Sequence, residues 1–349
     1  MKKGKYLITG CAGFIGSHLV KNISDKYELV LVDDFSEGSI KNIPKKFRKQ
    51  IIKKKIQDLD IKELKKIDGI FHLAAQSSVP LSIRKFYESS SNNIKSSLKV
   101  FDLAKQFSVP VVYASSSAIY GNLPFGNDNK KKYSITSPYA QDKLTLEHYA
   151  KVCYEIFKVP SVGLRLFNVY GPGQNPNSPY SAVIPIFINR MRKNLSVNIN
   201  GGYQTRDFIY VEDVVKIMLL SMKKIQEQQK IYILNVGTGK SININYLHNL
   251  VKKKLKSKSK VKKQKLDKFD PKKSSGTFVN LKKFLNLKNS YFTKLEDGID
   301  KSINPVLILL DNSSLKRLIT DPQSIFLRQE YRQLPSLAIL ALLQVAIHD

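Results

Sequence analysis

Three glycines at spacing three, Gly10, Gly13 and Gly16, constrain this chain more than any other feature. They follow an apolar run, KYLIT at 5–9, and open a helical pattern that runs to about Ile23. A strand that turns at once into a helix needs residues free to take unusual φ, and close approach of a pyrophosphate forbids a Cβ. The helix N-terminus beyond offers N–H groups and the positive end of a dipole. The next apolar run, ELVLVD, ends in Asp33, 17 residues past Gly16. An acid there accepts hydrogen bonds from ribose hydroxyls and repels a 2′-phosphate, and Asp34 adds to the repulsion. The pattern predicts a site for NAD rather than NADP. Asp58, in QDLD, is placed either to meet the adenine or to cap a helix.

Further strands are expected at 67–73 and 109–114, with helix between them, as at 93–107. Strands alternating with helices predict an α/β fold, a doubly wound parallel sheet. From about residue 170 the pattern loosens, through the turn-rich GPGQNPNSP and a Gly-Gly turn with an aromatic strand at 199–211. The expected division is a dinucleotide-binding domain over 1–170, to which later segments return, and a smaller substrate-binding α/β lobe over 171–303. Lys252–Lys273 reads as a solvated helix end and linker. The segment 304–349 departs in character: Leu replaces Lys, and four cationic side chains balance four acids. Its apolar run, Leu334–Ile347, is too short to span a bilayer, and the pattern assigns it no function.

Charge needs weighing because it is extreme: 58 Lys and Arg against 28 Asp and Glu, a formal +30. The lysines are scattered and arginine is scarce, so the charge speaks for solubility and steering of anions rather than nucleic-acid reading. Two cysteines, Cys11 and Cys153, make neither a disulfide framework nor a metal cluster. No apolar run is long enough for a membrane span, and the expected location is the cytoplasm.

Tyr139 and Lys143 stand four apart behind Ser137-Pro138, a helix-start signal, so both fall on one helix face. An ammonium beside a phenol favours phenolate, and such a Tyr can remove a hydroxyl proton near neutral pH. The serines 115–117 follow a strand that ends at the sheet's carboxyl edge, where α/β active sites form.

With these residues in order, the chain resembles the extended short-chain dehydrogenase/reductase family, in particular its nucleotide-sugar 4-epimerases. The resemblance runs from about Lys5 to Ile303, through TGCAGFIGSHL, VDDFSEG, HLAAQSSVPLSI, YASSSAIYG, SPYAQDK, LRLFNVYGPGQNPNSPYSAVIP, INGGYQTRDFIYVEDVV and NVGTG. It implies Ser116, Tyr139 and Lys143 as the catalytic trio. It implies a tightly held NAD, regenerated each turnover. The cofactor would be held by Gly10, Gly13, Phe14, Ile15 and Gly16, by Asp33, Asp34, Phe35 and Ser36, by Asp58 and Leu59, by Leu73, Ala74 and Ala75, and by Asn93, Tyr139 and Lys143. Asn93 matches the family's structural or proton-relay asparagine. A UDP-sugar would meet Ser78, Ser116, Ser117 and Asn200, with Asn168 and Arg206 on the diphosphate and Ala182, Val183, Ile184 and Phe187 about the uridine. For Arg206 the other reading is a surface ion pair with Asp207.

The same resemblance separates reactions. The related 4,6-dehydratases carry an Asp-Glu pair just after the catalytic Thr or Ser, and the decarboxylases a Glu nearby; here Ser117, Ala118 and Ile119 follow Ser116. Ser274, beside Ser275, falls where a bulky Tyr narrows the pocket in glucose-restricted members. That favours UDP-GlcNAc/UDP-GalNAc, with UDP-Glc/UDP-Gal also possible substrates and UDP-glucuronate as runner-up. The family's C-terminal diphosphate-binding arginine has no clear counterpart, since Asp267 or Lys268 falls there. A homodimer pairing helices near 93–107 and 139–157 is implied, with neither nucleic acid nor membrane as partner. A dehydratase, a reductase and a non-catalytic sensor on the same fold are the rival readings.

Overall fold

Six short apolar runs in the first half of the chain form strands: β1 (Lys5–Thr9), β2 (Glu28–Val32), β3 (Ile51–Ile52), β4 (Gly69–His72), β5 (Val111–Ser116) and β6 (Ser161–Leu166). The computed structural model describes residues 4–176, 182–266 and 270–304. β7 (Asn168–Tyr170), β8 (Val197–Asn200) and β9 (Thr205–Tyr210) follow, then β10 (Ile231–Val236), β11 (Ser241–Asn243), β12 (Val261–Gln264) and β13 (Lys273–Ser274). β10 returns to the first six, giving one seven-stranded sheet in the order β10-β6-β5-β4-β1-β2-β3. Every pairing in it is parallel. β4 and β6 are buried along their whole length, which explains runs without polar alternation: helices cover both faces.

The helices are α1 (Phe14–Ile23), α2 (Val79–Arg84), α3 (Phe86–Phe107), α4 (Pro138–Phe157), α5 (Val183–Arg192), α6 (Val211–Gln228), α7 (Ile244–Lys254), α8 (Val279–Leu285) and α9 (Leu295–Ile303). Leu19, Val20 and Ile23 of α1 and Val214, Ile217 and Met218 of α6 pack on one face of the sheet. Val100, Phe101 and Ala104 of α3 and Leu146 and Ala150 of α4 pack on the other. The order reverses at β1: the chain moves out to β2 and β3, then crosses back to β4 on β1's other side. Ligands bind at such a switch point, outside the carboxyl ends of the strands.

β9 is the spine of a second, smaller sheet, antiparallel to β11 and parallel to β7 and β13. Its core gathers Tyr170, Phe187, Phe208, Tyr210, Leu247 and Ile299. Two boundaries differ from expectation. α3 begins at Phe86, its polar first half ESSSNN being helical without an apolar stripe. The lysine-dense stretch contains β12, exposed at every residue and paired parallel to β8. Backbone pairing alone makes that strand, so its side chains carry no period-2 signal. Among the described residues no helix is long and apolar enough to cross a membrane, and none of the 304–349 segment beyond Asn304 is described.

Candidate active site

The glycine turn is built as its chemistry requires. Gly10 takes φ +68°, and a Cβ there would stand 2.6 Å from the Ala74 nitrogen. A Cβ on Gly16 would stand 2.1 Å from the Gly10 carbonyl oxygen. Gly13 is the N-cap of α1, and no side chain caps that end. The first turn, carrying Phe14, Ile15 and Gly16, thus presents backbone and dipole to a groove. That groove is lined by Gly10, Gly13, Asp33, Asp34, Ser36, Leu73, Ala74 and Ala75. A dinucleotide fits this donor set and these Cβ-free approaches.

Asp33 does more than was read from its place. Its Oδ2 accepts from Ala12 N–H at 2.7 Å and its Oδ1 from Phe35 N–H at 2.8 Å, so it clamps the glycine turn to the loop after β2. Phe35 itself takes a left-handed φ of 58°. Burial pushes the Asp33 carboxyl above its ordinary value, against the pull of those N–H groups.

Two sequence assignments move, those of Asp58 and Leu59, and a third, Asn93, takes the structural of its two readings. Asp58 is exposed and outside the groove, which Ile56 and Gln57 line instead. It caps nothing either: Asp60 is the cap, in a capping box with Glu63. Leu59 is buried in the core and its N–H closes a turn on the Ile56 carbonyl. Asn93 is buried with its amide engaged by protein: it accepts from Gln76 N–H and donates to the Gln76 carbonyl and to Asp142 Oδ2. It holds the loop at Gln76 and the helix of Asp142, while Asn92 and Ser96 of α3 face the groove. Those two were missed, because one residue on a helix turns a side chain by about 100°.

Tyr139 and Lys143 lie one turn apart in α4, whose N-cap Ser137 accepts from Ala140 N–H. Ser82 of α2 accepts Tyr139 N–H at 3.2 Å and fixes the helix start. Ser115 and Ser116 prove to be the last residues of β5, and Ser116 caps a following turn by accepting from Ala118 N–H at 3.1 Å. Lys143 Nζ donates to the Ala114 carbonyl at 2.8 Å and stands 5.8 Å from the Tyr139 ring centre. Burial lowers the Lys143 ammonium to about 8, with Asp142 opposing. For Tyr139 the expected lowering is reversed: burial raises the phenol above its ordinary value, and the Ser116 hydrogen bond pulls it partly back. Lys143 bonds a carbonyl rather than the phenol, so no hydrogen bond from the ammonium offsets that burial.

Substrate-side residues divide likewise. Asn168 donates to the Asp207 carbonyl at 3.2 Å. Arg206 pairs with Asp270, not Asp207; Asp207 instead accepts from Thr238 and Gly239 N–H. Ser274 lies in register opposite Arg206 across β13 and β9. Ser78 is the N-cap of α2, Ser117 begins the turn after β5, and Asn200 is exposed at the end of β8. Ala182 and Val183 are accessible at the start of α5, but Ile184 and Phe187, each 1% exposed, belong to the lobe's core. Helical phase sends them inward, away from the face that Ala182 and Val183 leave accessible. The segment 177–181, with part of the GPGQNPNSP loop, and residues Asp267 and Lys268 lie outside the described residues. Among the described residues no cluster of three or more His, Cys, Asp or Glu side chains can hold a metal ion.

A dinucleotide cradle at the switch point and a Ser–Tyr–Lys centre at the adjoining strand end define an NAD-dependent enzyme of the Rossmann class. The chain belongs to the NAD dependent epimerase/dehydratase family, whose model matches residues 6–237. A UDP-N-acetylglucosamine 4-epimerase from Methanobrevibacter ruminantium M1, solved with UDP-N-acetylmuramic acid, is 36% identical with TM-score 0.81, covering 89% of this chain and 100% of that one. A Methanocaldococcus jannaschii protein, provisionally described as a UDP-glucose 4-epimerase, is 35% identical over 256 residues, 70% of this chain and 81% of its own. The Homo sapiens dTDP-D-glucose 4,6-dehydratase is 32% identical over 254 residues, 69% of this chain and 71% of its own.

Proposed function

We propose that this enzyme epimerises a UDP-hexose at C4, with UDP-GlcNAc and UDP-GalNAc as the preferred pair. The observation that carries the reading is the shortage of a free carboxylate at the catalytic strand end. Ser117, Ala118 and Ile119 follow Ser116, and Glu147, which does reach the end of β5, is held by Arg165 at 2.7 Å. Loss of water needs an acid and a base beyond the redox step; oxidation and return of hydride need neither. Ser116 holds the C4 oxygen and Tyr139 takes its proton, then returns it once the keto sugar has turned over. Lys143 keeps a positive charge close to the phenol through space. When bound, NAD supplies the hydride acceptor and donor, and its cationic nicotinamide favours the phenolate. Ser274 and Ser275, small and half-buried beside Arg206, support a pocket open enough for an N-acetyl group.

Two copies pair through α3 and α4. Tyr149, Val152 and Ile156 form an exposed apolar stripe at helical spacing on α4, and Tyr87 and Leu98 are exposed on α3. The test of the activity is incubation of purified protein, without added NAD, with UDP-GlcNAc, UDP-Glc and UDP-glucuronate separately, resolving 4-epimers by chromatography. Conversion of UDP-GlcNAc, abolished by Tyr139→Phe, is expected. A keto-deoxy product, or no epimer from any of the three with NAD supplied, overturns it.

A further inference from the structure

Glu147 and Arg165 form a buried ion pair, 0% and 3% exposed, that the chemistry above does not use. Replacing such a pair by apolar residues is often neutral or stabilising, so stability alone is a poor account of why it is there. Its connections give a better one. Glu147 Oε1 accepts from Ser115 Oγ at 2.6 Å and from Arg165 Nε at 2.8 Å. Arg165 donates to the Tyr120 hydroxyl at 2.7 Å, and its guanidinium carbon stands 5.4 Å from the centre of the Tyr120 ring and 5.4 Å from that of Tyr133. The Tyr120 hydroxyl donates to Asn235 Oδ1, and the Asn235 amide donates to the Thr277 carbonyl. Thr277, three residues past Ser274 of the substrate lobe, in turn donates its N–H to the Gly126 carbonyl.

Three successive residues of β5 are therefore gripped by three residues of α4 spaced four apart. Lys143 holds Ala114, Glu147 holds Ser115, and Tyr139 meets Ser116. We propose that Glu147 and Arg165 are positioning residues for the reaction. They lock the end of β5 onto α4, so that Ser116 and Tyr139 share one substrate oxygen, and they tie this centre through Tyr120 and Asn235 to the strand that carries Ser274. Arg165 is the element that makes Glu147 rigid, since it fixes both carboxylate oxygens.

The inference rests on the epimerase reading for its kinetic test. Ser115→Ala removes one hydrogen bond and no charge. It is expected to lower kcat about tenfold with KM unchanged, because small misplacement of reacting groups is strongly felt in rate. Loosening Ser116 also removes part of what lowers the Tyr139 phenol, so the acid limb of the pH–kcat profile moves to higher pH. The double variant Glu147→Leu/Arg165→Met is expected to unfold no more easily than wild type while kcat stays depressed. A purely structural pair predicts the same stability with activity recovered. Wild-type kcat and pH profile in Ser115→Ala overturn the proposal, as does a stable, fully active double variant. If the double variant does not fold, Ser115→Ala decides. If the wild-type holoenzyme turns over no UDP-hexose, the functional reading falls separately. The positioning is then read by ultraviolet titration of Tyr139, as the difference between each background and its Tyr139→Phe partner; an unmoved phenol in Ser115→Ala overturns it.

Discussion

Lys143 should make the fold less stable at neutral pH, by an amount its burial fixes. The unfolded chain holds the Lys143 proton to about 10.5, whereas in the folded chain burial lowers this to about 8. At 1.36 kcal/mol for each pH unit, the charged ammonium costs the fold about 3 kcal/mol. The sign follows from proton counting. Below pH 8 both states carry the proton and the full penalty is present. Between pH 8 and 10.5 the unfolded chain binds more protons than the folded one, so stability rises with pH. Above 10.5 the penalty is gone. Lys143→Met removes this titration. It also removes the hydrogen bond to the Ala114 carbonyl, a loss of about 1–3 kcal/mol, but that loss is nearly the same at every pH. Subtracting the wild-type curve from the variant curve cancels it, together with all other ionisations. The assay is urea unfolding of NAD-stripped protein from pH 7 to pH 10.5. The advantage of the variant over wild type should shrink by about 3 kcal/mol across that window. Parallel curves would refute the reasoning, because they would mean that Lys143 keeps its solution affinity for the proton. The same variant should be inactive, so a residue that destabilises the apo fold would be identified as one kept for chemistry.

Two further outcomes are expected. Gly16→Ala drives a Cβ to 2.1 Å from the Gly10 carbonyl, and backbone must shift; the purified variant should lose its bound nucleotide and about 1–3 kcal/mol of stability. Chromatographic assay of nucleotide released on denaturation checks this, and full NAD content would contradict the close approach argued for the turn. Ile156→Glu, placed on the exposed stripe of α4, should convert a dimer into a monomer in sedimentation velocity with the unfolding midpoint of the monomer little altered; a wild-type protein that sediments as a monomer would remove the interface.

Legibility in this sequence tracks the range of the cause. Gly10 and Gly16 are dictated by contacts a few residues away and by one approach to Ala74, so their spacing, with the strand before, the helix after and Asp33 beyond, was enough to point to a dinucleotide cradle. Ser137-Pro138 starts α4 by local capping, and the four-residue spacing then placed Tyr139 and Lys143 together. Burial is another matter. Tyr139, Lys143 and Glu147 share one face by the same arithmetic, yet the sequence does not reveal that the last of them meets Arg165, because that partner arrives on a different strand. Arg206 shows the same limit: its neighbour Asp207 was the obvious partner, but β-strand alternation turns consecutive side chains apart, and Asp270 comes from 64 residues away. Where a charge was concerned, pattern identified the residue and missed its partner, and the partner decides what the charge does. A lysine read as lowering a phenol instead bonds a carbonyl. A carboxylate that could have supplied elimination chemistry is neutralised inside an ion pair. The residues after Ser116 already separated epimerase from dehydratase in the sequence; the contact between α4 and β6 adds that Glu147, the carboxylate bonded to Ser115, is engaged by Arg165.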